Sequence, residues 1–281
     1  MLDTYCIYNG HLISLYEPAI GFSNRAFRYG DSLFESIRYT NGRIMFLADH
    51  VKRIKLSMTI LRMNVPVEFT TLNIEQLIIH LLEQNNIKKE ARIRLTVFRN
   101  EGGLYTPDTN DISFLIETEA LETSGYIINQ KGLWVDVYAE IKKPINKISN
   151  LKTGSALLYV MAGITKTSLK LDDCLLVNDN GNIIESISSN IFVVKNGTIY
   201  TSPITDGCID GVMRKQILDL AAQNKILAFE QPLTVHTLTN GDEVFLTNAI
   251  KGVQWVGQFK NKFYTNQKAV FFADKLNELV K

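Results

Sequence analysis

The chain has 281 residues, 46% of them hydrophobic and 21% charged, with a formal net charge of +1 at pH 7. That length suits one large domain or two modest ones. The near-neutral balance, with its basic residues scattered, gives no electrostatic footprint for nucleic acid or for an anionic membrane surface.

The opening stretch MLDTYCIYNGHLIS (Met1–Ser14) has no basic segment followed by an apolar core, so it is not expected to act as a secretory signal. Apolar runs such as ALLYVMAGI (Ala156–Ile164) are far too short to cross a bilayer. Cys6, Cys174 and Cys208 lack the spacing of a disulfide framework or zinc site, and a cytoplasmic location is expected. His11, His50, His80 and His236 form no ligand-spaced pair, so no metal is expected.

In chain order, Asn-Gly recurs at Asn9-Gly10, Asn41-Gly42, Asn180-Gly181, Asn196-Gly197 and Asn240-Gly241. Both residues of that pair tolerate positive φ, which suits a type I′ hairpin turn. SIRYTNGRIMFL (Ser36–Leu47) and IFVVKNGTIYTS (Ile191–Ser202) are the clearest hairpins. Antiparallel sheet should therefore dominate, which argues against a doubly wound parallel fold.

Between the hairpins, FLADHVKRIKLSMTILRM places Val51, Ile54, Met58 and Leu61 on one helical face, with Asp49 near its start. TLNIEQLIIHLLEQNNI is a second helix, with Leu77, Ile78, Leu81 and Leu82 inward. Strands ARIRLTVFR and DISFLIETE follow, then the polar stretch Thr118–Gly125, then LWVDVYAE. A domain boundary is placed in that polar stretch, giving 1–119 and 120–281. Two later helices, GSALLYVMAGITKTSLKL and GVMRKQILDLAAQNKI, complete the pattern.

Lys152 is the one charge at the mouth of the apolar run Asn150–Ala162. Desolvating an ammonium there is costly unless it is used. A P-loop is excluded, because its glycine-rich turn ends in Gly-Lys-Ser/Thr and Gly154 here follows the lysine. Farther on, Gly207, Asp210 and Gly211 open the helix VMRKQILDL. A glycine-rich helix start leaves backbone N–H groups available to an anion, though many ordinary helices begin in the same way.

The run Glu185-x-Ile187-x-x-Asn190-Ile191-Phe192, then Ile199-x-Thr201, then Ile209-x-Gly211-Val212-x-Arg214, resembles the signature of the class-IV (fold-type IV) pyridoxal-phosphate enzymes. Branched-chain aminotransferases, D-amino-acid aminotransferases and 4-amino-4-deoxychorismate lyases belong to that family. RYGDSLFESIRYTNGRIMFLADHVKRI resembles its N-terminal segment and EVFLTNAIKGVQWVG its C-terminal strand and loop. The resemblance implies an α+β fold of two domains, mainly antiparallel sheets with flanking helices. It also implies a small N-terminal domain, a larger sheet-rich C-terminal domain, pyridoxal 5′-phosphate in the cleft between them, and a homodimer.

By the same resemblance Lys152 forms the imine with the cofactor aldehyde, a step that suits an amine kept neutral by an apolar pocket. Glu185 pairs with the pyridine nitrogen and keeps it protonated. Arg53 binds the phosphate through charge-assisted bonds, with the backbone amides of Val212 and Met213 completing the phosphate cup. Asn248 and Ala249 sit on the loop that closes this pocket in relatives. His50 braces the site, and Asn190 is a structural hydrogen-bonder. Tyr29, Phe34 and Arg99 occupy substrate-contact positions; Arg92 and Arg94 could share or replace the carboxylate-binding duty of Arg99.

Features of the substrate pocket point in different directions. Leu157 stands where branched-chain enzymes usually carry tyrosine, and Asn248-Ala249 and RNEGGLY look like the lyases. Phe34-Glu35, in contrast, resembles the branched-chain enzymes. The resemblance thus implies an aminotransferase acting on an amino acid and a 2-oxo acid. A 4-amino-4-deoxychorismate lyase is the alternative, and a non-catalytic pyridoxal-phosphate-binding protein a weaker one.

Overall fold

The computed structural model describes residues 4–17 and 20–280, so Met1–Asp3 of the opening stretch lie outside the described residues. The chain divides into two compact units. One comprises the chain through Gly125 together with Leu151–Ser155 and Val280; the other comprises Tyr126–Asn150 and Ala156–Leu279.

The first unit contains β1 (Tyr5–Tyr8), β2 (His11–Ser14), α1 (Arg25–Tyr29), β3 (Ser32–Thr40) and β4 (Arg43–Ile44). It continues with α2 (Leu47–Ile60), α3 (Thr71–Gln84), β5 (Glu90–Arg99) and β6 (Ile112–Ala120). Its six strands form one antiparallel sheet in the order β2-β1-β6-β5-β3-β4. Asn9-Gly10 and Asn41-Gly42 both take positive φ at the hairpin turns, as the type I′ geometry demands.

Successive strand residues point to opposite faces. Leu33 and Ile37 of β3 are therefore buried with Ile93, Leu95 and Val97 of β5 in the same core as α2 and α3. That core takes Val51, Ile54 and Met58 from α2 and Ile74, Ile78, Leu81 and Leu82 from α3. Thr70 caps α3, its hydroxyl accepting from the Asn73 amide at 3.2 Å.

The second unit begins with β7 (Leu133–Lys143), α4 (Leu157–Ser168), β8 (Asp173–Asn178), β9 (Ile183–Ser186), β10 (Asn190–Lys195) and β11 (Thr198–Thr201). There follow α5 (Val212–Gln223), β12 (Ala228–Glu230), α6 (Val235–Thr239), β13 (Glu243–Asn248), β14 (Gly252–Phe259), β15 (Lys262–Phe263) and α7 (Gln267–Val280). Its nine-stranded sheet runs β12-β11-β10-β13-β14-β7-β8-β9, with β15 on β14. A further pairing of β9 with β10 closes six of these strands on themselves. The sheet is mixed: β7 runs parallel to β8 and β14, and β11 to β12, while the other pairs are antiparallel.

Three sequence expectations differ from the structure. The compact units divide after Gly125 rather than at residue 119, because the polar stretch is tied back to the first sheet. Leu121 N–H donates to Glu90 O at 3.1 Å, Ser124 Oγ donates to Glu90 Oε1 at 2.9 Å, and Gly125 N–H donates to Thr40 Oγ1 at 3.3 Å. The helix expected from Gly154 begins later. Residues 151–155 run along β3, with Phe34 N–H donating to Lys152 O and Gly154 N–H to Ser32 O, both at 2.9 Å, and α4 starts only at Leu157. Asn240-Gly241 makes no hairpin, since Asn240 terminates α6 at φ −92°.

Candidate active site

In the first unit, the consecutive residues Phe34 and Glu35 lead to two different clusters. Glu35 turns to the helix-covered face, where it is 1% exposed. There it accepts from Arg53 Nε at 2.7 Å, is bonded again by Arg53 Nη2, and pairs with His50 Nδ1 at 2.7 Å. Burial alone would raise its pKa, but the Arg53 and His50 charges and hydrogen bonds outweigh that and lower it from 4.5 to about 2. His50 and Arg53 lie one turn apart on α2, so one carboxylate fixes both. Arg53 is thereby held in one orientation.

Phe34 turns to the other face. The Lys152 ammonium stands 4.2 Å from the centre of its ring and the Arg94 guanidinium 4.1 Å from the same point. Arg94 stands opposite Ser36 on β5 and also donates from Nε to Thr96 Oγ1 at 3.2 Å. Burial, partly opposed by Glu117 and reinforced by Arg92, lowers the Arg94 pKa from its ordinary value. Arg92 and Arg94 line an open depression of about 150 Å³ with Tyr5, Leu15, Glu117 and Glu119.

Arg99 belongs to a different cluster. It is 7% exposed and donates from Nε to Asp31 Oδ2 at 2.9 Å, from Nη1 to Asn110 Oδ1 at 2.5 Å and from Nη2 to Leu61 O at 2.8 Å. Asp31 Oδ2 also accepts from Arg25 Nε at 2.9 Å. Every nitrogen of the Arg99 guanidinium is thus engaged, tying together Asp31, the end of α2 and the loop after β5. Arg94 is the arginine placed beside Phe34 and Lys152. The Tyr29 ring lies 5.5 Å from that of Tyr105 and 5.0 Å from the Arg25 guanidinium.

In the second unit, Glu185 is 2% exposed, not a solvated hairpin charge. Its Oε1 accepts from Lys143 Nζ at 2.6 Å and Tyr159 Oη at 2.8 Å, and its Oε2 accepts from Ile209 N at 2.7 Å. Burial, then the Glu185 charge, pushes the Tyr159 phenol far above its ordinary range, so it donates as a neutral group. Asn190 Nδ2 donates to Ile209 O at 2.8 Å. Asn150 Nδ2 donates to Ile204 O and Cys208 O, both at 2.7 Å. The segment before α5 is therefore gripped by three side chains.

The helix begins at Gly211 with no side-chain cap, so the first amides of α5, Val212 and Met213 among them, meet no capping group. On β13, opposite Asn190 in register, Thr247 Oγ1 is buried with no hydrogen-bond partner. The Asn248 side chain is engaged by Ser189 and by its own turn. Its Nδ2 donates to Ser189 Oγ at 2.9 Å and its Oδ1 accepts from the Ile250 and Lys251 amides. Ala249 follows in that turn.

Within the second unit, an uncapped helix start, an orphan hydroxyl and a buried carboxylate whose Oε2 can accept another donor are groups that suit a phosphorylated, nitrogen-containing aromatic ring. The sequence model of the amino-transferase class IV family matches residues 32–259. The chain belongs to that family.

A Methanocaldococcus jannaschii protein provisionally described as a branched-chain-amino-acid aminotransferase is 26% identical to this class IV chain, covering 97% of it and 94% of the relative. The D-alanine aminotransferase of Bacillus licheniformis is also 26% identical, covering 86% and 83%. Among solved structures, the branched-chain amino acid aminotransferase of Escherichia coli superposes with a TM-score of 0.89 at 21% identity, covering 99% of this chain and 95% of that one. The fold-type IV architecture is thus that of this class IV protein.

Sequence reasoning missed Lys143, Tyr159 and Thr247. Lys143 is one of two lysines closing a strand, Tyr159 lies in an apolar run, and Thr247 is an ordinary strand threonine. Only the pairing of β7, β8 and β9 brings the first to Glu185.

Proposed function

We propose that this protein is a pyridoxal-phosphate-dependent aminotransferase that moves an amino group between an amino acid and a 2-oxo acid. The observation that carries the reading is the pair of cations on the Phe34 ring. Lys152 and Arg94 put an amine nucleophile and a carboxylate receptor against one aromatic ring, matching a substrate that bears an amine and a carboxylate.

When bound, pyridoxal phosphate supplies an aldehyde that condenses with amines and a ring that accepts electrons released at the substrate α-carbon. Lys152 Nζ anchors the cofactor, then takes the α-proton and returns it. Glu185 Oε2 accepts from the ring nitrogen. Arg53, fixed by Glu35, holds the phosphate together with the Val212 and Met213 amides and the Thr247 hydroxyl. Arg94, rather than Arg99, receives the substrate carboxylate. Asn248 and Ala249 contribute through their backbone.

The second reading, 4-amino-4-deoxychorismate lyase, is supported by the Asn248-Ala249 pair and by the glycine loop after Arg99. In that loop Gly102 and Gly103 take φ of 118° and 67°.

Two measurements test the reading. Borohydride reduction of the cofactor-saturated protein followed by peptide mapping should place the pyridoxyl tag on Lys152; a tag elsewhere overturns it. Amino donor with 2-oxoglutarate should give product, whereas 4-aminobenzoate formed from aminodeoxychorismate alone would establish the lyase.

We also infer a homodimer, supported by the outer face of α4. Leu157, Val160, Met161 and Ile164 recur at helical spacing and are 77%, 52%, 39% and 57% exposed.

A further inference from the structure

Glu185 is more heavily engaged than a carboxylate serving a ring nitrogen alone would need to be. Lys143 and Tyr159 both donate to Oε1, while Oε2 takes only the Ile209 amide. Each carboxylate oxygen accepts about two hydrogen bonds, so Oε1 is filled and Oε2 retains capacity for one more donor. Lys143 closes β7, is 7% exposed, and has its ammonium 5.5 Å from the centre of the Tyr159 ring. A lysine at a strand end ordinarily extends its amine to water. Here the ammonium is desolvated against a carboxylate, an arrangement that brings little net stability over a well-packed apolar pair.

We propose that Lys143 is a positioning residue for the cofactor's ring nitrogen, an inference that rests on the pyridoxal-phosphate reading. With Tyr159 it occupies Oε1, so that Oε2 is the oxygen offered to the ring. Its positive charge also opposes a second cation, the protonated ring nitrogen, on the same carboxylate. The ring nitrogen consequently holds its proton less tightly than it would beside Glu185 without Lys143. Lys143 thus sets how strongly the ring draws electrons, while Lys152 does the proton transfer.

The test is the ¹⁵N chemical shift of ring-labelled pyridoxal phosphate bound to the full chain, followed against pH in wild type and three variants. Lys143→Met should raise the ring-nitrogen midpoint by about one unit or more, tenfold in proton affinity. Lys143→Arg, which keeps the charge, should restore the wild-type midpoint. Tyr159→Phe, which removes only a neutral donor, should raise it by a smaller amount and carries the test if Lys143→Met does not fold.

A lysine that serves packing alone would change the melting temperature of the cofactor-free protein and leave the midpoint where it was. An unmoved or lowered midpoint in Lys143→Met and Tyr159→Phe, with wild-type binding intact, overturns this inference alone. Failure of the wild type to bind pyridoxal phosphate overturns the functional reading and this inference with it.

Discussion

Glu185 and Asn190 stand opposite each other where β9 meets β10, and between them they hold both polar ends of one residue. Ile209 N–H donates to Glu185 Oε2 at 2.7 Å, and Ile209 O accepts from Asn190 Nδ2 at 2.8 Å. The lead-in to α5 is fixed by this grip, which leaves room for nothing larger than glycine two residues on. A Cβ at Gly211 would lie 1.9 Å from Asn190 Oδ1, although its φ of −71° is open to any residue.

Gly211→Ala should therefore destabilise the protein by about 2–3 kcal/mol, the range of overpacking. In an Asn190→Ala background the clash is gone, and the same change should cost about 1 kcal/mol or less, the N-cap preference alone. Denaturant unfolding of the four proteins gives the cycle; equal costs in both backgrounds would refute the steric cause.

The Glu35 cluster predicts an acid sensitivity. Its folded pKa of about 2 lies below the ordinary 4.5, so the folded state binds fewer protons than the unfolded across that window. The stabilisation is complete above the unfolded value and is lost as pH falls towards the folded one, on the order of 3 kcal/mol in total. Urea midpoints measured between pH 6 and pH 3 should fall more steeply in wild type than in Glu35→Gln. Parallel slopes would show that this carboxylate is not the group responsible.

Much of this arrangement was legible in the sequence, and what escaped has identifiable causes. Asn41-Gly42 and Asn196-Gly197 give hairpins because their positive φ is a local preference. Val51, Ile54 and Met58 mark the buried face of α2 because period and burial coincide. The parallel pairings of β7 leave no local trace, since residues distant in sequence make them.

Lys143 is invisible for the same reason, since its contact with Glu185 exists only through the pairing of β7, β8 and β9. Arg99 and Arg94 occupy opposite faces of the sheet, and the neighbours that distinguish them, Asp31 for one and Phe34 for the other, come from segments far off in sequence. Asn240-Gly241 shows that even a strong turn pair yields to a preceding helix.

The two arginines should separate cleanly in kinetics. Arg94→Gln removes a charge-assisted receptor for carboxylate, so kcat/KM for amino acid and oxo acid should fall about 30- to 100-fold, or 2–3 kcal/mol, with stability little changed. Arg99→Gln loses bonds to Asp31, which keeps Arg25, and to Asn110 and Leu61, and should lower stability by about 1–3 kcal/mol. An Arg99 variant that is fully stable yet has lost affinity for the carboxylate would reverse the assignment.

The α4 stripe gives the last test. Ile164 sits two turns along from Leu157 on the same outward line, and neither side chain contributes to the unit's own buried core. If a second copy covers this line, a carboxylate placed there must be desolvated without a partner, which an interface does not tolerate. Ile164→Asp should convert the dimer to monomer in sedimentation velocity at micromolar concentration, while far-UV circular dichroism stays that of wild type. Because α4 follows the Lys152 segment in the chain, the monomer should also lose activity. A variant that remains dimeric, or a wild type that sediments as a monomer, would place the association surface elsewhere or remove it.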